Sequence, residues 1–328
     1  MTALIPPYGG VLKELRVDPQ TALAVKQSAH DLPSLTLNQR QLCDLELLMI
    51  GAYSPLDGFM DEATYSTVVE NMRLPEGLLW PLPVILDVPT HLAQDLEPGK
   101  QVSLCDQEGF ALAILEIDSI WQPDKRAEAQ AIFATDSDSH PGVRRLYEDI
   151  GAVYLGGKIL GLEAPHHYEF EALRQTPAEL RAFFTAENWS RVAGFHTTKP
   201  MHRVHYEITV NAAKSADANI LIHPAVGIAK PGDLHYFSRV RCYRAIKDHY
   251  TAVQAKLSLA PLSVRMAGPR EALFNAIVRQ NYGCSHFIVG PEHAAPPGVR
   301  DGAPRFYLKY AAQECVAAHQ HELQIEMI

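Results

Sequence analysis

The sequence predicts an α/β protein with two domains, a β-rich N-terminal domain and a C-terminal domain built on a parallel sheet. Up to about residue 160, turn signals recur at short intervals between strand-like apolar runs. Beyond about residue 190, runs of strand length alternate with segments of helical periodicity. Such repeated strand–helix units indicate a parallel sheet covered by helices on both faces. A length of 328 residues also favours two domains.

The N-terminal domain is predicted from its strands. Residues 83–88 and 110–115 are strand-like runs, and residues 38–50 form a helical insertion. This combination predicts a barrel-like domain. Residues 135–150 are polar and rich in turn formers, which predicts a loop. We interpret the aspartates and histidines of this domain as turn and surface residues without chemistry.

A change of composition around residues 165–190 marks the domain boundary. Thr176 and Glu179 form a capping box with Pro177 at the first helical position, which predicts a helix to about residue 185. We therefore place the boundary near residue 168, with an N-terminal domain at 1–167 and a C-terminal domain at 168–328. In the C-terminal domain we predict strands at 191–195, 219–224, 262–266 and 285–290, and helices at 200–215, 240–250 and 271–280.

Composition limits the partners. The formal net charge of −9 disfavours nucleic acid and anionic membranes as partners, and it is neutral about small anions, which respond to local fields. The five cysteines are scattered and form no Cys-x-x-Cys pair, which is typical of reduced thiols in a cytoplasmic protein. The N-terminus does not resemble a secretory leader, and no apolar run reaches the roughly 18 residues that span a membrane.

The stretch from Phe195 to His205 is the first candidate site. A buried strand ends at Phe195, a polar turn follows, and a helix is predicted to begin at Pro200. The helix N-terminus would point free N–H groups and a positive dipole end at the turn, as in many anion sites. His202 and His205 would share one helix face and could hold a phosphate chain. The alternative is a packed or solvent-facing pair. Zinc is disfavoured, because no glutamate stands in a His-Glu-x-x-His arrangement.

Further polar residues follow the other predicted strands. His223 follows the second strand, Arg265 lies in the third, and the run 290–293 follows the fourth. Ligands of parallel sheets bind at the carboxyl ends of the strands. We therefore predict a single pocket for an anionic nucleotide at this edge of the sheet.

Residues 196–205 resemble the signature of the ATP sulfurylases (sulfate adenylyltransferases), which reads Gln-Thr-Arg-Asn-Pro-x-His-Arg-x-His. The chain retains five positions of that signature: Thr197, Pro200, His202, Arg203 and His205. It differs at three positions, with His196 for glutamine, Thr198 for arginine and Lys199 for asparagine. The resemblance extends over almost the whole chain.

Other segments support the same resemblance. Residues 4–10 and 51–60 are similar to the N-terminal domain of the family, which implies a PUA-like β-barrel. Residues 223–233, 264–272 and 281–290 are similar to segments of its catalytic domain, which implies a Rossmann-like nucleotidyltransferase domain with a parallel sheet. Pro291 stands where the family has an arginine. The sequence also ends before the family's usual C-terminal segment, which closes the site and carries an Ile-Ser-Gly-Thr motif.

The resemblance implies an activity and its residues. ATP and sulfate, with Mg²⁺ bridging phosphate oxygens, would give adenylyl sulfate and pyrophosphate. The implied catalytic residues are Thr197, His202, His205 and Arg265. The implied substrate-binding residues are His196, Thr198, Lys199 and the backbone of Ala294, and the implied nucleotide-binding residues are His223, Gly290, Glu292 and His293. Arg270 and Glu271 belong to a similar segment, although both could simply cap their helix.

The substitutions leave three functions open. Replacement of arginine by Thr198 removes a planar cation whose charge-assisted contact contributes about 1.5–3 kcal/mol. Lys199 adds a cation, and a protonated His196 would add another. The chain could transfer an adenylyl group to sulfate, transfer a nucleotidyl group to a different acid, or bind nucleotide without turnover. The expected partners are a small nucleotide and an oxyanion, and family members often form homo-oligomers.

Overall fold

The computed structural model describes residues 3–228, 233–296 and 305–328. In its N-terminal part, six strands form one sheet in the order β1-β4-β5-β6-β2, with β3 also paired to β6. The strands are β1 (Ser34–Thr36), β2 (Gly58–Phe59), β3 (Leu86–Val88), β4 (Gln101–Cys105), β5 (Ala111–Trp121) and β6 (Val153–Gly161). Register shifts between β4 and β5 and between β5 and β6 increase the twist of the sheet. Predicted strands 83–88 and 110–115 are confirmed in part by β3 and β5.

Six helices accompany this sheet. They are α1 (Pro19–Ala29), α2 (Gln39–Met49), α3 (Glu62–Asn71), α4 (Thr90–Ala93), α5 (Lys125–Phe133) and α6 (Pro141–Glu148). The predicted helical insertion is confirmed as α2, which begins after a capping box between Asn38 and Gln41. The predicted loop at 135–150 was wrong in its second half, which is α6. The ring of His140 accepts the N–H of Gly142 at 3.0 Å and caps that helix.

The C-terminal part contains a five-stranded sheet in the order β11-β10-β7-β8-β9, and every pair is parallel. The strands are β7 (Val192–Phe195), β8 (Asn219–Ile222), β9 (Ala255–Leu257), β10 (His286–Ile288) and β11 (Glu326–Met327). The helices are α7 (Pro177–Ala186), α8 (Arg203–Ala216), α9 (Tyr236–Lys247), α10 (Pro269–Asn281) and α11 (Ala311–Ala318), with 3₁₀ turns at Glu171–Leu173 and Gln320–Glu322. The predicted parallel-sheet α/β architecture is confirmed.

The predicted strand at 262–266 was wrong. The strand beside β8 is β9, several residues earlier in the chain. Val264 makes one backbone bond, to the carbonyl of Ile228 at 3.1 Å, and the next donors bond to a side chain instead of a neighbouring strand. Arg265 and Ala267 donate to the two carboxylate oxygens of Glu271, at 3.1 and 3.0 Å. Glu271 therefore holds the approach to α10, which agrees with its interpretation as a capping residue.

Helix α10 joins the two parts of the molecule. Its side chains from 271 to 281 are buried, and Asn281 donates to the carbonyls of Ala52 and Ser54 at 3.0 and 2.9 Å. Phe274 packs against Tyr53 and Trp80, with ring centroids 5.2 and 5.5 Å apart. One apolar core consequently runs through both parts and fixes the second sheet against the first. Among the residues described, no helix is long and apolar enough to cross a membrane.

Candidate functional site

A cavity of about 450 Å³ opens at the carboxyl ends of β7 and β10. Most of the predicted site residues line it: His196, Thr197, Thr198, Lys199, His205, Gly290, Glu292, His293 and Ala294. The topology explains this convergence, because β7 and β10 are parallel neighbours and the loops that follow them leave the sheet at the same edge. His202, Arg265 and His223 do not line the cavity.

The loop after β7 is held from below by helix α9. Buried Arg239 donates to the carbonyls of Thr198 and Ala225 at 2.9 and 3.0 Å, and Tyr243 donates to the carbonyl of Lys199 at 2.8 Å. The Thr197 hydroxyl donates to the Lys199 carbonyl and accepts the Lys199 N–H, both at 3.1 Å. Thr197 therefore shapes the turn, and its hydroxyl proton is already committed to a backbone oxygen.

Helix α8 begins at Arg203, and the predicted start at Pro200 was wrong by three residues. His202 is the N-cap, and its backbone N–H approaches Nδ1 of His205 at 3.4 Å. The two rings lie against each other with centroids 4.1 Å apart, but His202 is exposed and only His205 lines the cavity. Burial lowers the pKa of His205, and the nearby positive charges of His202 and Lys199 lower it further.

A buried arginine, which the sequence pattern does not single out, lies behind the cavity-lining ring of His196 and does not itself line the cavity. Arg279 of α10 donates to Nδ1 of His196 at 2.8 Å, to the His223 carbonyl at 3.1 Å and to the Asn275 side chain at 2.9 Å. The Asn275 amide nitrogen lies 3.2 Å from Nε2 of His293. Burial lowers the pKa of Arg279 to about 10, so the guanidinium remains charged near neutral pH.

The turn after β10 forms the opposite wall. Ala294 has a φ of 56°, a left-handed conformation that is costly for a residue with a Cβ. Its N–H donates to no acceptor among the described parts of the chain, so it is available to a ligand. Glu292 pairs with Arg305 at 3.2 Å, and Lys309 also lines the cavity. With Lys199, these side chains make the rim more positive than negative.

Arg265 lies elsewhere, and its predicted place at the shared edge was wrong. The Arg265 guanidinium donates to the buried Asp44 carboxylate at 2.7 Å, at the seam between the two parts of the molecule. Burial by itself would lower its pKa, but Asp44 and Tyr53 outweigh that effect and hold the pKa above its ordinary value. Val264 of the same segment does line the cavity, so the prediction failed in the direction of the side chain, because the Arg265 guanidinium points to Asp44.

His223 is buried and does not reach the cavity, so its predicted role in nucleotide binding needs correction. Neither ring nitrogen has a hydrogen-bond partner among the residues described, and the ring packs edge-on against Tyr282 at 4.5 Å. Burial and the adjacent Arg279 hold the pKa of His223 well below its ordinary value. The ring is therefore a neutral core group. Of the similar segment 223–233, residues 229–232 lie outside the described residues.

Chemically, the cavity suits a polyanion more than a resident metal. Cations at the rim, the backbone N–H of Ala294 and the imidazoles of His196, His205 and His293 all favour anionic oxygens. Within 3–228, 233–296 and 305–328, no three His, Cys, Asp or Glu side chains are grouped to hold a metal ion. Of the described residues, Glu292 is the one carboxylate that lines the cavity, and it is already paired with Arg305.

Comparisons with known proteins point to one family. Residues 171–328 match the ATP-sulfurylase family and residues 5–164 match the PUA-like domain. The chain is 46% identical over 327 residues to a sulfate adenylyltransferase of Coccidioides immitis, covering 98% of this chain and 57% of that protein. It is 45% identical over 326 residues to a sulfate adenylyltransferase of Kluyveromyces lactis, covering 98% of this chain and 64% of that protein.

A solved structure agrees. A hexameric APS kinase from Thiobacillus denitrificans superposes with a TM-score of 0.79 at 34% identity, covering 99% of this chain and 56% of that chain. The chain thus spans roughly three fifths of the length of these proteins. Together with the observed sheets, the matches confirm the predicted fold class, a PUA-like N-terminal domain followed by an α/β domain with a parallel sheet.

Proposed function

The chain belongs to the ATP-sulfurylase family, and from that premise we propose that it transfers the adenylyl group of ATP to sulfate. A sulfate oxygen would attack the α-phosphorus, a new P–O bond would form, and the bond to pyrophosphate would break. The observation that supports this proposal most is the single cavity at the ends of β7 and β10. It gathers most of the predicted site residues beside the N-terminus of α8.

The residues of the cavity can be assigned to the departing pyrophosphate and to the acceptor oxyanion. We assign His205 to the departing pyrophosphate, because its ring lines the cavity at the first turn of α8. Lys199, Thr198, His196 and the N–H of Ala294 would contact the acceptor oxyanion. Sulfate is a weak nucleophile, so positioning and charge stabilisation carry the catalysis.

The nucleotide side is assigned to the turn after β10. Gly290, Glu292 and His293 line the same cavity, and we propose that this turn contacts the nucleotide. His202 contributes through its cap of α8 and its contact with His205, and Thr197 through the shape of the loop. Arg265 and His223 are not part of the proposed site.

Mg²⁺ would enter with the nucleotide. This ion prefers phosphate oxygens and water with one or two carboxylates, and among the described residues the cavity offers Glu292 alone. We therefore propose that the phosphates would hold most of the ion's coordination. Its chemistry there is to neutralise phosphate charge. We also propose a homo-oligomer in the cytoplasm, with the two domains meeting near residue 168.

A different acceptor acid is the second candidate. Thr198 is 8% exposed and its carbonyl is held by Arg239, so its short side chain cannot replace the reach of an arginine. His196 is held by Arg279 from below. These substitutions favour an acid with fewer or differently placed oxygens than sulfate, such as a phosphonate, a phosphate ester or a carboxylate. Nucleotide binding without turnover is the remaining alternative.

Pyrophosphate release separates the three functions. The protein is incubated with ATP, Mg²⁺ and one acid at a time from a panel of oxyanions, and ATP binding is measured separately by calorimetry. Release with sulfate supports the proposal, and release only with another acid supports the second candidate. ATP binding without release leaves a nucleotide-binding protein, and absence of both contradicts all three. In a Thr198→Arg variant, a gain of sulfate-dependent release would show that position 198 sets acceptor choice.

A further inference from the structure

Arg279 is a buried cation for which the described part of the chain supplies no carboxylate partner. Its side chain is fully buried, and among the described residues no carboxylate lies within ion-pair distance of it. Its hydrogen-bond partners among those residues are the His196 ring, the His223 carbonyl and the Asn275 amide, and none of them carries a negative charge. An uncompensated charge in the interior is costly, so it raises the affinity of a neighbouring cavity for anions.

The bond from Arg279 determines the state of His196. A guanidinium has only donors, so Nδ1 of His196, at 2.8 Å, must accept. An imidazole that accepts at Nδ1 is neutral and carries its proton on Nε2. Protonation at Nδ1 would place two N–H groups against each other beside a permanent cation. His196 therefore supplies a ring N–H rather than a positive charge.

Asn275 passes the same constraint to His293. Its side-chain oxygen accepts from Arg279 at 2.9 Å, which orients the amide nitrogen as the group facing Nε2 of His293 at 3.2 Å. Nε2 of His293 must then accept, which leaves its proton on Nδ1. The rings of His196 and His293 are 5.2 Å apart and both line the cavity. One arginine thus sets the proton positions of two cavity side chains.

We propose that Arg279 is a positioning residue of the anion site, which fixes His196 and His293 as neutral donors and keeps a permanent positive charge beneath the bound anion. The identity of that anion, the acceptor oxyanion beside His196 or a nucleotide phosphate beside His293, rests on the proposed function, and pyrophosphate serves as the probe. The tautomers do not, because they follow from hydrogen bonds within the protein. The positive charge behind the cavity wall is then that of the Arg279 guanidinium, and it does not depend on protonation of either ring.

The test compares Arg279→Met with Arg181→Met. Arg181 is a matched control, because it is a guanidinium lodged against the end of the same helix α10 and bonded only to carbonyls. It donates to Asn281 at 2.8 Å and to Ile5 and Gln280 at 2.9 Å, away from the cavity. Nitrogen-15 shifts of the histidine rings report the tautomers, and calorimetry with pyrophosphate alone reports anion affinity.

In the wild-type protein we expect His196 protonated on Nε2 and His293 on Nδ1. In Arg279→Met we expect both rings to lose their single tautomer and pyrophosphate affinity to fall about 10- to 100-fold, the scale of a charge-assisted bond. Arg181→Met should retain wild-type tautomers and affinity within about twofold. A merely structural role for Arg279 would lower stability without moving the ring shifts.

A second variant keeps the proposal testable if Arg279→Met does not fold. Asn275→Leu leaves Arg279 bonded to His196, so we expect only His293 to change tautomer. The proposal is overturned if His196 carries its proton on Nδ1 in the wild-type protein, or if Asn275→Leu leaves the His293 shifts unchanged. Failure of turnover with every oxyanion would contradict the proposed function alone, since the ring shifts are measured without ATP.

Discussion

Arg265 and Arg279 are both buried arginines of the C-terminal part, and they differ in what neutralises them. Arg265 pairs with the Asp44 carboxylate, which also pairs with Arg40 at 3.1 Å. Asp44 therefore neutralises the charge of Arg265 at the contact between the two parts of the molecule. Arg279 bonds, within the described ranges, to neutral groups alone, and it lies behind the cavity-lining ring of His196. Correspondingly, the pKa of Arg265 lies above its ordinary value, and that of Arg279 is lowered to about 10.

The difference shows that burial of a cation does not by itself indicate a binding role. A paired cation contributes to stability and projects little field beyond its partner, whereas an unpaired one attracts ligands of opposite charge. The sequence resemblance implied that Arg265 is a catalytic residue. The structure gives that position a carboxylate and leaves the unpaired charge to Arg279. Substitutions can test whether Arg265 serves stability and Arg279 serves anion binding.

The largest expected effect is on stability at the Arg265 side. Arg265→Met leaves buried Asp44 with Arg40 and Tyr53 but without its closest cation, and we expect the free energy of unfolding to fall by about 3 kcal/mol. Pyrophosphate affinity should stay within about twofold of wild type. Urea unfolding and calorimetry measure the two quantities. Arg126→Met is the control. It removes an exposed ion pair with Asp136 at 3.7 Å, and we expect no measurable change in stability. A tenfold loss of affinity in Arg265→Met would erase the distinction between the two arginines.

His223 lies next to Arg279, and we expect it to affect stability without affecting ligand binding. Its pKa is depressed in the folded state, so between that pKa and about 6.5 the unfolded chain binds more protons. Stability must then fall as the pH falls below about 6.5, by up to about 1.4 kcal/mol per pH unit for this one group. His140, whose pKa burial lowers to about 4, acts in the same direction.

We therefore expect His223→Phe to be more stable than wild type by about 2 kcal/mol at pH 5, because it removes one protonation and two unpartnered nitrogens. Its nucleotide affinity should be unchanged. Unfolding curves at pH 5 and pH 8 give the slope. If the free energy of unfolding of this variant falls with pH as steeply as that of the wild type, another group is responsible for the titration. A loss of ATP binding would show that His223 belongs to the binding site.

His205 tests the rim of the cavity. His205→Asn removes the ring that we assign to the departing pyrophosphate, and pyrophosphate should bind about tenfold more weakly. Because the pKa of His205 is lowered and an anion favours the protonated ring, wild-type affinity should rise as the pH falls below about 6.5. His235→Asn alters a histidine at the start of a different helix, the N-cap of α9 outside the cavity, and should leave affinity unchanged. Equal losses in both variants would assign the effect to helix capping.

The smallest expected effect is at Lys309. This exposed cation lines the cavity, and Lys309→Gln should weaken ATP binding about threefold at low salt and less at high salt. Lys26→Gln, on the far N-terminal helix α1, is the control of equal charge change. Titrating each variant with ATP at two ionic strengths measures the affinity and its dependence on salt. A salt-independent loss would mean that Lys309 contacts the nucleotide directly and is not a screened rim charge.

The sequence predicted what depends on local pattern and general topology. Alternating strands and helices predicted a parallel sheet, and that topology alone brings the loop after Phe195 to the turn after Ile288. The predicted start of α8 at Pro200 was wrong because the helix instead begins after a histidine cap, which the pattern of apolar residues does not reveal.

Partners distant in the chain could not be predicted. Arg279 reaches His196 across 83 positions, and Arg265 reaches Asp44 across 221. Arg279 stands inside a helix among apolar residues, and nothing in its neighbours indicates that its guanidinium turns toward a cavity. Conversely, Arg265 belongs to a segment that resembles a known motif, yet its environment is set by the other half of the chain.

The central claim is that the cavity between β7 and β10, with Arg279 beneath it, binds the phosphates of a nucleotide. A crystal structure of the protein soaked with a non-hydrolysable ATP analogue and sulfate tests it most directly. We expect the phosphates beside His205 and the sulfate beside the N–H of Ala294, with the guanidinium of Arg265 still on Asp44. Phosphates bound at Arg265, or a ring of His196 turned away from Arg279 with the cavity empty, would contradict the account.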